Sequence, residues 1–250
     1  MNSRTLILTS IALLHSAVLT QAQEPVATDP AIEREVRDVA GWKVHINRKL
    51  LKEELKATNL ALRLLKKQLT EIVRVVPAPA VAELQKVPLY FSPTYSSKQG
   101  GAEFHPGADW LKDNGRDPVM EKAVEFSNIP NFEQEMRRMP NFALHELAHA
   151  YHDLVLKEGF GNPQLIAAFD RAKASGKYER VERWHGVKNG NTFEVAYGMS
   201  NPMEYFAETT EAYFSRNDFF PFTKSELKEH DSEMFDLLTE LWGVPEEKSK

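Results

Sequence analysis

The sequence predicts an α+β fold, one compact domain of two lobes, on three observations. Leucines and valines recur at helical spacing from about Leu50 to Val76. Two further helices of strong pattern begin at Phe142 and Pro202, and short apolar or alternating runs between these segments are bounded by Pro, Gly and Asn. The 250 residues are 42% hydrophobic and 27% charged, a globular balance that can bury a core. A net charge of −5 supplies no basic field for a polyanion and argues against nucleic acid as a partner. The chain has no cysteine, which removes disulfides, thiolate metal sites and cysteine nucleophiles together. A metal in this chain is held by His and carboxylates.

Met1–Arg4 carries one positive charge, Leu6 to Leu19 is an apolar run interrupted by Thr9, Ser10, His15 and Ser16, and Thr20-Gln21-Ala22 offers small residues for cleavage. That run is shorter than the roughly 20 apolar residues that span a bilayer. Residues 1–22 are therefore expected to be a secretory signal, leaving a secreted or periplasmic monomer with no membrane segment after cleavage. Residues 23–40 read as a polar lead-in.

Region 41–118 begins with period-two alternation at Trp42–Ile46, a short strand. The helix from Leu50 to Val76, single or broken near Thr58-Asn59, is stopped by Pro77 and Pro79. Val87–Phe91 is a strand, and 96–118 is irregular. Region 119–250 opens with a strand at Ala123–Phe126 and continues with a helix from Phe142 to Glu158 that stops at Gly159. Pro163–Ser175 is a helix ending at Gly176; Tyr178–Trp184 and Thr192–Tyr197 form a hairpin about Asn189-Gly190-Asn191. Helices over Pro202–Ser215 and Lys224–Trp242 complete the chain.

The 142–158 helix carries His145-Glu146-Leu147-Ala148-His149, the HExxH pattern. Imidazoles four residues apart on a helix project from one face and can reach a single ion, with Glu146 beside its open position. Leu144, Leu147, Ala148, Tyr151, Leu154 and Val155 make an apolar stripe, so the histidines are expected at its edge. His152, seven residues from His145, is about 10 Å away along the axis and cannot join the same ion; it belongs to the helix surface or to the substrate cleft. Asp153 either orients a ligand imidazole or is a solvated carboxylate.

Asn201-Pro202 caps and opens the next helix, placing Glu204 in its first turn with Glu208 and Glu211 on the same stripe. Acids aligned on a helix rich in Tyr, Phe and Ala call for a facing cation. Glu204 is assigned as the third ligand and Glu208 as the acceptor from a ligand imidazole, with the exchange of those two roles left open.

Tyr197-Gly198, seven residues before Glu204, and the run Tyr205-Phe206-Ala207-Glu208 after it complete a pattern that resembles the gluzincin zinc peptidases, and among them the catalytic domain of anthrax lethal factor. The resemblance covers about residues 120–245. It implies a zincin-like domain with a small mixed sheet, one Zn(2+) held by His145, His149 and Glu204, Glu146 as general base, and Tyr197 as the donor to the developing oxyanion. It also implies an edge strand that pairs with extended substrate, for which Val124, Glu125 and Phe126 are expected. The expected activity is a secreted zinc metallopeptidase acting on a protein or peptide. A catalytically inactive peptide-binding module and a zinc amide hydrolase of non-peptide substrates are the alternatives.

Overall fold

A computed structural model describes residues 32–95, 101–186 and 190–245. The expected signal, residues 1–22, and part of the expected hairpin turn, Asn189, lie outside the described residues.

The sheet begins earlier than the sequence suggests. Strand β1 (Arg34–Val39) occupies part of the expected polar lead-in and turns through Ala40-Gly41 into β2 (Trp42–Asn47). Both turn residues have positive φ, 51° and 97°, as a tight two-residue hairpin demands. β1 is an outer strand with only Val39 fully buried, which is why its sequence is polar. β2 buries Trp42, Val44 and Ile46 in strict alternation.

Asn47 caps α1 (Arg48–Glu53), and α2 (Leu55–Val75) follows. The break lies at Glu54, not at Thr58-Asn59. Thr58 instead continues the helix, its hydroxyl donating to the Leu50 and Glu54 carbonyls at 3.3 and 3.0 Å. Pro77 stops α2, and α3 (Ala78–Leu84) leads to β3 (Leu89–Phe91). The supposedly irregular stretch contains β4 (Ala102–His105) and α4 (Ala108–Asp113). Next come β5 (Ala123–Phe126), α5 (Phe132–Arg138), α6 (Phe142–Leu154) and α7 (Pro163–Ser175). The hairpin is β6 (Val181–Arg183) and β7 (Thr192–Glu194), and α8 (Pro202–Phe214) follows. Asp231 divides the expected last helix into α9 (Lys224–His230) and α10 (Ser232–Leu241) by capping the second.

The five-stranded sheet has the order β1-β2-β3-β5-β4, with β2, β3 and β5 parallel and the outer strands antiparallel. This corrects one expectation. β5 is paired on both sides, and Val124, Glu125 and Phe126 are fully buried, so they offer no edge to a substrate. Among the described residues, the unpaired edge on this side of the sheet belongs to β4. Gly101 and His105 turn their carbonyls to β5, accepting from Ser127 and Lys122, so Ala102 and Phe104 face outward.

The expected regions 41–118 and 119–250 share this sheet, since β5 sits between β3 and β4. α6 packs against α2, α8 and β4, and everything from Phe142 to His152 is buried. It is a central core helix rather than an amphipathic one, and Leu154 and Val155 are exposed past its last full turn.

Candidate metal centre

The site starts from how α6 is anchored. Asn141 caps it, its Oδ1 accepting from the Leu144 amide at 3.2 Å, and Gln68 of α2 accepts from the Ala143 amide at 3.0 Å. Two of the free amides of the first turn are thereby satisfied inside the core. One turn further on, His145 and His149 project from the same face.

α8 supplies the third group. Asn201 Oδ1 accepts from the Glu204 amide at 2.9 Å, and Pro202 fits the first helical position. Nε2 of His145 and Nε2 of His149 stand 3.2 Å apart, and Glu204 Oε2 lies 3.1 and 3.3 Å from them. Donors about 2.0–2.1 Å from a tetrahedral zinc are separated by about 3.3–3.4 Å, so this near-equilateral triangle fits such an ion. Two imidazoles and a carboxylate are also the donor set that a cysteine-free chain can offer. Burial raises Glu204, but its bonds to His145 and His149 outweigh that and hold its carboxyl well below the ordinary range.

The imidazole of His145 is held from behind. Burial alone would depress it, but hydrogen bonds to Glu204 and Glu211 and the charges of Glu211 and Glu146 raise it well above its ordinary value. Nδ1 donates to Glu211 Oε1 at 2.8 Å, so an ion in the triangle would displace only the Nε2 proton and take the lone pair it leaves. Glu208 was expected in that role. Its Oε1 is 3.8 Å from Nδ1 and its Oε2 accepts from Asn217 Nδ2 at 3.0 Å, so Glu211 holds the ring instead. Burial and the neighbouring Glu211 charge push Glu208 above the ordinary carboxylate range.

Asp153 does not reach the histidines: it accepts from Lys122 Nζ at 2.6 Å. His152 belongs neither to the surface nor to the cleft. It is wholly buried between the rings of Phe160 and Phe206, its centroid 5.1 and 5.2 Å from theirs, and neither ring nitrogen has a hydrogen-bond partner. Burial and the nearby His149 push it down to about 4, so it is neutral in the folded chain.

Glu146 is adjacent to the triangle and is fixed by a contact with no sequence signature: its Oε2 accepts from the Phe104 amide on the free edge of β4 at 2.8 Å. Tyr197 stands across from it at the start of a short 3-10 turn, Tyr197–Ser200. Gly198 lets that turn approach α8, because a Cβ there would sit 3.3 Å from the Tyr205 Cα. Burial and the Glu204 charge push the Tyr197 hydroxyl up to about 12, so it remains a donor.

Two cavities open on these residues. One of about 260 Å³ lies beside His145 and Glu146 and is walled by Phe126, Phe132, Met139 and Phe142. The other, of about 450 Å³, follows β4 past Trp110 to His149 and Glu204. His145, Glu146 and Tyr197 line both.

The arrangement therefore brings together His145, Glu146, His149, Tyr197 and Glu204 as expected, adds Glu211 and Phe104, keeps Phe126 as a cavity wall and not as an edge-strand contact, and leaves out Asp153, Val124 and Glu125. No protein-family model matches the chain, and no curated protein or solved structure matches it.

Proposed function

We propose that the chain is a secreted, zinc-dependent metallopeptidase of the gluzincin type, with a zincin-like fold. The observation that carries this reading is the triangle of His145, His149 and Glu204 donor atoms with Glu146 beside it. His145, His149 and Glu204 would hold the ion, and Glu211 would keep the His145 ring in the tautomer that ligation requires. Zinc bound there supplies a water acidic enough to be deprotonated near neutral pH and polarises the scissile carbonyl.

Glu146 is the general base. It takes the proton of the attacking water and returns it to the departing amine, which splits one costly proton movement into two short ones. Tyr197 keeps its phenolic proton and donates it as a hydrogen bond to the carbonyl oxygen as negative charge develops. An extended peptide adds to the outward backbone groups of Ala102 and to the Phe104 carbonyl on β4, the Phe104 amide being taken by Glu146. The cavity beside His145, with Phe126, Phe132 and Phe142 on one wall and Arg138, Arg183 and Asp218 also lining it, receives a substrate side chain next to the scissile bond.

The test combines metal analysis with a degenerate peptide library. The expected result is one zinc per chain, cleavage by the wild type, and retained zinc with cleavage lost by about 10²–10⁴-fold in Glu146→Gln. Full zinc occupancy without cleavage of any peptide would overturn the reading in favour of a binding module.

A further inference from the structure

Strand β4 has four residues and, among the described residues, one neighbouring strand, β5, yet it carries the amide that holds Glu146. Its attachment contains an electrostatic fault. In the antiparallel register Glu103 of β4 lies directly opposite Glu125 of β5, and like charges facing each other across a ladder push strands apart. Glu125 is fully buried, which sharpens the repulsion.

Arg116, from the loop after α4, closes the fault. Its Nη1 pairs with Glu125 Oε2 at 2.7 Å and also with Glu103, and its side chain is almost entirely buried. The guanidinium lies over the Tyr95 ring, 4.6 Å from the centroid, and over Trp110 at 4.9 Å. His105 and Tyr95 complete the cluster through Glu125, at 2.9 and 2.5 Å. One buried cation thus ties both strands from one face while Phe104, between Glu103 and His105, turns its amide outward to Glu146. The metal-site reading assigns no role to Arg116.

We infer that Arg116 is a positioning residue for the general base, acting through β4: it fixes the edge strand whose Phe104 amide aims the Glu146 carboxylate. The inference rests on the metallopeptidase reading for its kinetic consequence, and on geometry alone for the link from Arg116 to Phe104.

The test uses the full zinc-loaded chain and two readouts, kcat and KM on a cleaved peptide and hydrogen exchange of the Phe104 amide by NMR. In Arg116→Met, kcat is expected to fall about tenfold or more with zinc at one per chain, and exchange at Phe104 to accelerate by a similar factor. Arg116→Lys, which retains the charge without the planar guanidinium that lies over Tyr95 and Trp110, is expected to fold and to fall between wild type and Met in both readouts. It also decides the matter should the Met variant not fold. Unchanged Phe104 exchange in the substituted chain, or a faster Phe104 with unchanged kcat, would overturn the inference. Should the wild type cleave no peptide, the metallopeptidase reading fails by itself, and the exchange measurement still decides whether Arg116 holds the edge strand.

Discussion

Glu211 Oε1 accepts from His145 Nδ1 at 2.8 Å, on the side of the imidazole away from Glu204. Glu211 is fully buried, and its other carboxylate oxygen has no hydrogen-bond partner. The acid three residues earlier, Glu208, faces Asn217 instead.

Removing the Glu211 carboxylate should therefore weaken zinc more than removing that of Glu208. Glu211→Gln is expected to lower zinc affinity by about 10- to 100-fold, or about 1.4–2.7 kcal/mol. Glu208→Gln should stay close to wild type. Competition against a chelator of known affinity measures both, and equal losses would contradict the assignment.

Tyr197 is protonated and about half exposed at the rim of both cavities. Tyr197→Phe should reduce kcat by about 10²-fold while KM changes little and zinc stays bound. A loss carried by KM alone would place the hydroxyl in ground-state binding instead.

Gly198 gives an independent check on the same group. Gly198→Ala brings a Cβ to 3.3 Å from the Tyr205 backbone, which cannot yield as a side-chain tip would. The turn that carries Tyr197 must shift, so kcat should drop while zinc content holds. Steady-state kinetics with metal analysis reads both.

His152 makes the fold acid-sensitive. It is neutral when folded, with its pKa pushed down to about 4, against about 6.5 in an unfolded chain. The unfolded chain binds the proton first. The stabilisation is present above about pH 6.5 and is lost as pH falls toward 4, by about 3 kcal/mol in all. His152→Leu removes that term along with two buried nitrogens that lack partners. Urea midpoints compared at pH 7 and pH 4.5 should fall less in the variant than in wild type.

Asn141 links stability to the site. Asn141→Ala removes the cap of α6 and should cost about 1 kcal/mol of unfolding free energy, read from chemical denaturation.

The triangle of donor atoms was legible because each member follows from a local rule. Helical spacing joins His145 to His149, and Asn201-Pro202 fixes where α8 begins and so where Glu204 stands. The choice between Glu208 and Glu211 was not local. In a 3.6-residue helix Glu208 lies about 40° to one side of Glu204 in azimuth and Glu211 about 20° to the other, with Glu211 about 4.5 Å further along the axis than Glu208. Which one meets His145 depends on how α8 crosses α6. β4 was illegible for another reason. Its polar members, Glu103 and His105, face a buried charge cluster instead of solvent, so polarity misreads the strand as loop. β1 was missed because an outer strand buries little: Val39 alone is buried, Val36 is exposed, and the other four residues are charged.

The chain contains no cysteine, so no covalent tie joins its distant segments. The triangle would supply a substitute. An ion shared by His149 of α6 and Glu204 of α8 closes a loop of about 55 residues, and cross-links of that span restrict the unfolded chain by on the order of 4 kcal/mol. The ion would then act as a removable staple through the centre of the molecule. Removing the ion would then change how firmly the protein is folded as well as whether the proposed site is complete.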